Sequence, residues 1–208
     1  MELNKMQLNH RATEFAQIIT NTVCTNEEMN IVNLELAMLQ VLDNLRKIRQ
    51  DKQSLYIIGN GGSAAVASHA QVDFVNVAKI NAQVLHESSL ITCMANDFGY
   101  ENAYSRVLSQ FIKSGDMLIA ISSSGKSKNI CNAVEVAIER GVNVVTFTGF
   151  DNNNSLREIG HFNFWLDSYD YGYVEVGHQF ILHNLSDRFG VEVLKNKLIK
   201  SNEEIIFN

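Results

Sequence analysis

The sequence contains no proline, although average usage of about 5% predicts roughly ten in a chain of this length. Its turns must therefore be made by glycine, asparagine, aspartate and serine. Cysteine is scarce as well: Cys24, Cys93 and Cys131 lie far apart and form no CxxC pair. An odd number of thiols reads as reduced cysteine, used as a small buried hydrophobe. No apolar run approaches the roughly 20 residues of a membrane span, so none is expected. Positive charge is the minority, with 17 Lys and Arg against 23 Asp and Glu and a net charge of -6. A surface of that sign argues against a protein that coats nucleic acid. The opening residues MELNKMQLNHRATEF show no basic stretch followed by an apolar one. No signal peptide is expected, and the reading is a cytoplasmic protein.

What remains is ordinary globular material: 208 residues, 46% hydrophobic and 19% charged. A chain of that size buries a core without disulfides. Met6, Phe15, Ile18, Ile19 and Val23 recur at near-helical spacing and predict a helix over Leu3–Val23. Thr25 followed by Glu27 and Glu28 predicts the start of a second helix, running through Leu36, Leu39 and Leu42 to Lys47 and Arg49. Two helices this apolar need a surface to cover, and a partner subunit is a good candidate.

From residue 54 the texture changes. Ser54–Ile58, Met117–Ile121, Asn143–Thr148 and Phe162–Leu166 are short apolar runs, and Ala82–Leu85 makes a weaker fifth. Strands apolar on both faces that alternate with helices predict a parallel sheet covered on each side. The expected organisation is an α/β domain over residues 51–190. A helical hairpin at 1–50 precedes it, and an additional helix at 191–208 follows.

Two of these runs end in loops able to hold an anion. Gly59-Asn60-Gly61-Gly62-Ser63 and Ser122-Ser123-Ser124-Gly125-Lys126-Ser127 each connect a predicted strand to a predicted helix. Glycines let backbone N–H groups approach a ligand, serines add hydroxyl donors, and the helix N-terminus favours negative charge. Lys126 is the one formal cation within them. Either loop alone is equally well a tight turn or a set of caps. Two in one sheet favour a phosphorylated small molecule. Gly59-x-Gly61-x-x-Ala64, with Glu87 downstream, also fits a degenerate dinucleotide fingerprint, but that reading leaves the serine loop unexplained.

Chemistry-bearing side chains follow the loops. His69 and Asp73 are four apart and so share a helix face. Glu175 and His183 are eight apart, about two turns, and are expected to look toward the same cleft. By spacing alone His69 and Asp73 read as a surface pair, and His183 as a core residue of an apolar helix. Gathered together, two imidazoles and two carboxylates would make a divalent-metal set, with zinc the first choice.

These segments together resemble the sugar isomerase (SIS) family of phosphosugar-binding domains, and within it the phosphoheptose isomerases. The likeness rests on GNGGSAAVASHAQVDF (59–74), ANDFGYENAYSRV (95–107), IAISSSGKSKNI (119–130), VVTFTG (144–149) and YGYVEVGHQFILH (171–183). It implies a three-layer αβα sandwich with a five-stranded parallel sheet of flavodoxin type. It also implies a homotetramer whose active sites lie at subunit interfaces. The implied reaction converts sedoheptulose 7-phosphate to D-glycero-D-manno-heptose 7-phosphate through an enediol, for bacterial surface polysaccharide. The implied phosphate ligands are Ser122, Ser123, Ser124 and Ser127, with Lys126 as an added cation. Asn60, Gly61, Ser63 and Asp97 would surround the sugar. The implied catalytic groups are His183, Asp73 and Glu175; zinc would take His69, Asp73, Glu175 and His183. Four positions depart from the family pattern: Asp73 stands for glutamate, Glu175 for glutamine, Val77 for arginine and Gly172 for aspartate. The shorter carboxylate withdraws by one methylene, and a displacement near 1 Å can cost about a hundredfold in rate. A non-catalytic phosphosugar-binding scaffold of the replication-initiator-binding type is the alternative within the same family.

Overall fold

The computed structural model describes residues 6–206, with side chains through Val191. Five apolar runs form parallel strands: β3 (Ser54–Gly59), β4 (Asn81–Val84), β5 (Met117–Ser122), β6 (Asn143–Thr148) and β7 (Phe162–Trp165). Successive strand residues point to opposite faces. Leu55, Ile57, Met117, Ile119, Val145 and Phe147 enter one core, under α2 (Leu34–Gln50), α3 (Gly62–Asn76) and α7 (Tyr171–Ile206). Tyr56, Ile58, Leu118, Ala120 and Val144 enter another, under α5 (Ala103–Phe111) and α6 (Lys128–Glu139). Leu90, Ile91 and Met94 of α4 (Ser88–Phe98) pack against that second core. The result is the expected three-layer α/β sandwich.

The sheet is wider than predicted. It has two extra strands from the N-terminal region, β1 (Val23–Asn26) and β2 (Ile31–Val32), and the seven run in the order β2-β1-β7-β6-β5-β3-β4. A first helix, α1, spans Leu8–Thr20, and then β1 and β2 intervene before α2. Leu3, the expected start of the first helix, lies outside the described residues. The acidic pair Glu27-Glu28 imitates a helix start but sits in the turn between these strands. Tertiary pairing decides the conformation: β1 lies antiparallel to β7, with Cys24 opposite Phe164, burying Cys24 and Thr25 and covering an otherwise open edge. The second helix starts instead at Leu34, where the Asn33 side chain accepts a bond from the Leu36 N–H, a cap worth about 1 kcal/mol. At the other end, α7 continues through Gly190 to Ile206 as one helix rather than giving way to a separate one. Among the described residues no helix is long and apolar enough to cross a membrane.

Counted along the chain, the parallel strands have the doubly wound order 2-1-3-4-5, and its switch point falls between β3 and β5. Ligands of such sheets bind beyond the strand ends at that point. Both candidate loops lie there.

Candidate active site

Strand β3 ends at Gly59 and α3 begins at Gly62; β5 ends at Ser122 and α6 begins at Lys128. Between the two turns is a cavity of about 230 Å³. Asn60, Gly61, Gly62 and Ser63 line one side, Ser122, Ser123, Ser124 and Ser127 the other, with Tyr171 and Glu175 of α7 closing it. Gly61 has φ +54°, a conformation side chains rarely adopt, and a Cβ there would project into open space. The Ser122 hydroxyl donates to Ser127 Oγ at 3.2 Å, while the buried Ser123 hydroxyl has no protein partner. A buried hydroxyl without a partner is costly, and a ligand oxygen would relieve it.

The charges of this cradle differ from expectation. Lys126 is not among the lining residues; its Nζ lies 3.0 Å from Asp151. The Asn153 N–H, with Lys126, holds the Asp151 carboxyl below the usual carboxylate range. Asp97 is also outside the cavity, exposed on α4, where it accepts from Asn96 at 2.9 Å and from Cys93 at 3.6 Å. Among the lining residues Glu175 alone is charged. Its carboxylate packs directly on Gly62, where a Cβ would fall 2.1 Å from Oε1.

A second group of side chains gathers where α3 and α7 pack side by side. Nε2 of His69 lies 2.8 Å from Nε2 of His183. Oδ2 of Asp73 lies 3.2 Å from Nδ1 of His183 and 3.5 Å from Nε2 of His69. That oxygen is cut off from water and accepts no hydrogen bond. Each residue offers one ligand atom, all within 4.8 Å of one another. Two imidazole nitrogens and one carboxylate oxygen form the donor set of a catalytic zinc site, and the orphaned Oδ2 is the kind of atom a cation satisfies. The residues fit a divalent ion. Asp73 is only 15% exposed, but His69 and His183 are 54% and 41% exposed, so the cluster stands on the surface of the single chain.

Of the four metal ligands expected from the sequence, the structure therefore gathers three. Glu175 is the exception because eight residues of helix separate it from His183 by about 12 Å along the axis and about 80° around it. It joins the cradle instead. Sequence reasoning missed two other contributors. Tyr171 lines the cavity from the first residue of α7. Tyr104, 2% exposed, donates from its hydroxyl to Gly59 O at 2.6 Å and so pins the end of β3. The signal for Tyr104 is a hydroxyl on the apolar face of a short helix.

Comparison with known proteins bears directly on this arrangement. The model of the SIS domain matches residues 14–149. The chain belongs to the SIS-domain family. The phosphoheptose isomerase of Campylobacter concisus is 32% identical over 167 residues, covering 77% of this chain and 86% of that protein. That of Histophilus somni is 34% identical over 153 residues, covering 70% and 76%. The structure of a phosphoheptose isomerase from Francisella tularensis superposes with a TM-score of 0.77 at 22% identity, over 91% of this chain and 98% of that one.

Proposed function

We propose that this SIS-domain protein is an aldose–ketose isomerase that converts sedoheptulose 7-phosphate to D-glycero-D-manno-heptose 7-phosphate. The observation that carries the reading is the pairing of Asp73 and His183 across α3 and α7, on the same two helices that border the cradle. Identity of 32% and 34% to phosphoheptose isomerases gives the substrate class.

The chemistry follows from the residues. Ser122, Ser123, Ser124 and Ser127, with the N-terminus of α6, hold the phosphate ester. Asn60, Gly61 and Ser63 orient the sugar. Isomerisation moves a proton from C1 to C2 of the ketose and a second between O2 and O1. Asp73 and His183 divide those tasks, a carboxylate and an imidazole that face each other at 3.2 Å. Glu175, in the wall of the cradle, steers the sugar oxygens. Lys126, paired with Asp151 at 3.0 Å, stands outside the cradle and leaves the ester to the hydroxyl and backbone donors. His69, Asp73 and His183 would hold a divalent ion, zinc by donor type, which when bound acts as a Lewis acid on the sugar oxygens.

The functional unit is a homotetramer. Val72 and Val75 on α3 and Val176 and Phe180 on α7 are exposed apolar residues on the same helices as the half-exposed imidazoles. Leu36 and Leu39 on α2 extend the apolar surface. The protein works in the cytoplasm, in keeping with its free cysteines, and supplies heptose for bacterial surface polysaccharide.

The test is incubation with sedoheptulose 7-phosphate in deuterium oxide. Deuterium should enter the sugar as aldose forms, and His183→Ala should abolish this while keeping the wild-type circular dichroism. Absence of exchange with any ketose phosphate would leave a phosphosugar-binding scaffold as the reading.

A further inference from the structure

Asn129 stands in the first turn of α6, two residues beyond Ser127, and is 3% exposed. Both of its side-chain polar atoms bond the same partner, on the neighbouring loop. Its Nδ2 donates to Oδ1 of Asn60 at 2.9 Å, and its Oδ1 accepts from Nδ2 of Asn60 at 2.9 Å. This reciprocal amide pair joins the serine loop to the glycine loop, 69 residues apart in the chain. The Tyr100 hydroxyl also donates to Oδ1 of Asn60, at 2.8 Å. With both lone pairs of that oxygen taken and one Nδ2 hydrogen committed, Asn60 keeps a single N–H for a ligand.

We infer that Asn129 is a positioning residue: it sets the gap between the two loops and aims the remaining N–H of Asn60 at the bound phosphosugar. It touches no ligand itself, because it is buried and does not line the cavity. A buried amide whose partner is removed leaves unpaired polar atoms, so the pair holds one geometry rather than several. The inference rests on the phosphosugar reading above.

A double-mutant cycle between Asn129 and Asn60 tests it, after wild-type turnover of sedoheptulose 7-phosphate has been established. If the wild type neither binds nor turns over that ester, the functional reading fails before the cycle begins. With an active wild type, Asn129→Ala should raise KM about tenfold and change kcat less than threefold. Asn60→Ala should do much the same. The double variant should be no worse than Asn60→Ala alone, because Asn129 acts only through that side chain. Asn129→Ser, which keeps a hydroxyl in the first turn of α6, enters the same cycle if the alanine variant does not fold. Unchanged KM in the Asn129 variant, or single-variant losses that multiply in the double, would overturn the inference.

Discussion

The cradle beyond β3 and β5 takes its donors from backbone and hydroxyl groups, whereas the cluster on α3 and α7 is made of three ionisable side chains. The first is fixed by the sheet that ends beneath it. The second is fixed by the packing of two helices and is half open to solvent. A site of the first kind survives loss of any one donor, since the helix N-termini and remaining hydroxyls persist. One of the second kind loses its chemistry with a single atom. On the proposed reading, holding the ester is a distributed task and moving protons a concentrated one.

The largest effect should come from the concentrated half. Asp73→Asn keeps shape and removes the charge, and kcat should fall about a thousandfold, within the range of acid–base catalysis. KM should move less than threefold, and zinc uptake measured by titration calorimetry should be lost. An equal loss in KM would show the two halves to be one.

A middle-sized effect sharpens the contrast through another imidazole, His178, which α7 carries in addition to His183. His178 is fully buried; its Nε2–H donates to Thr148 O at 3.0 Å, and its Nδ1 has no partner. Burial pushes His178 down to about 4. Between pH ~6.5 and ~4 the unfolded chain therefore takes up a proton that the folded chain refuses. Stability is full above that window and falls as the pH drops through it, by up to about 3 kcal/mol. His86, also lowered by burial, adds the same sign. Urea unfolding at pH 7.5 and pH 5 should show the loss, and His178→Gln should flatten it. A pH-independent midpoint would mean that the ring is hydrated.

The smallest effect concerns the distributed half. Glu175→Gln removes the one charge lining the cradle, and affinity for inorganic phosphate should rise about fivefold, the worth of one unit charge at 4 Å in water. Weaker phosphate binding would place the Glu175 carboxylate away from the anion.

Much of this was legible in the chain because anion loops are local chemistry. Glycines and serines that follow an apolar run carry their meaning within a few residues. The His69–Asp73 spacing is equally local. What escaped depends on distant partners. Val23–Asn26 is a strand because β7 offers it an edge, which no feature of those four residues announces. Lys126 turns from the cavity because Asp151, 25 residues on, is better placed to receive it. Helix geometry alone could have separated Glu175 from His183, since eight residues bring two side chains neither to one level nor to one face.

Helix α7 runs unbroken from Tyr171 beside the ester pocket past His183. A rod of that kind cannot hinge between its ends, so opening the molecule by swinging one half of the site away from the other is closed to it. On the proposed reading, entry and departure of the sugar then fall to the turns above the sheet, and the span from ester to reacting carbons is metered by helical pitch.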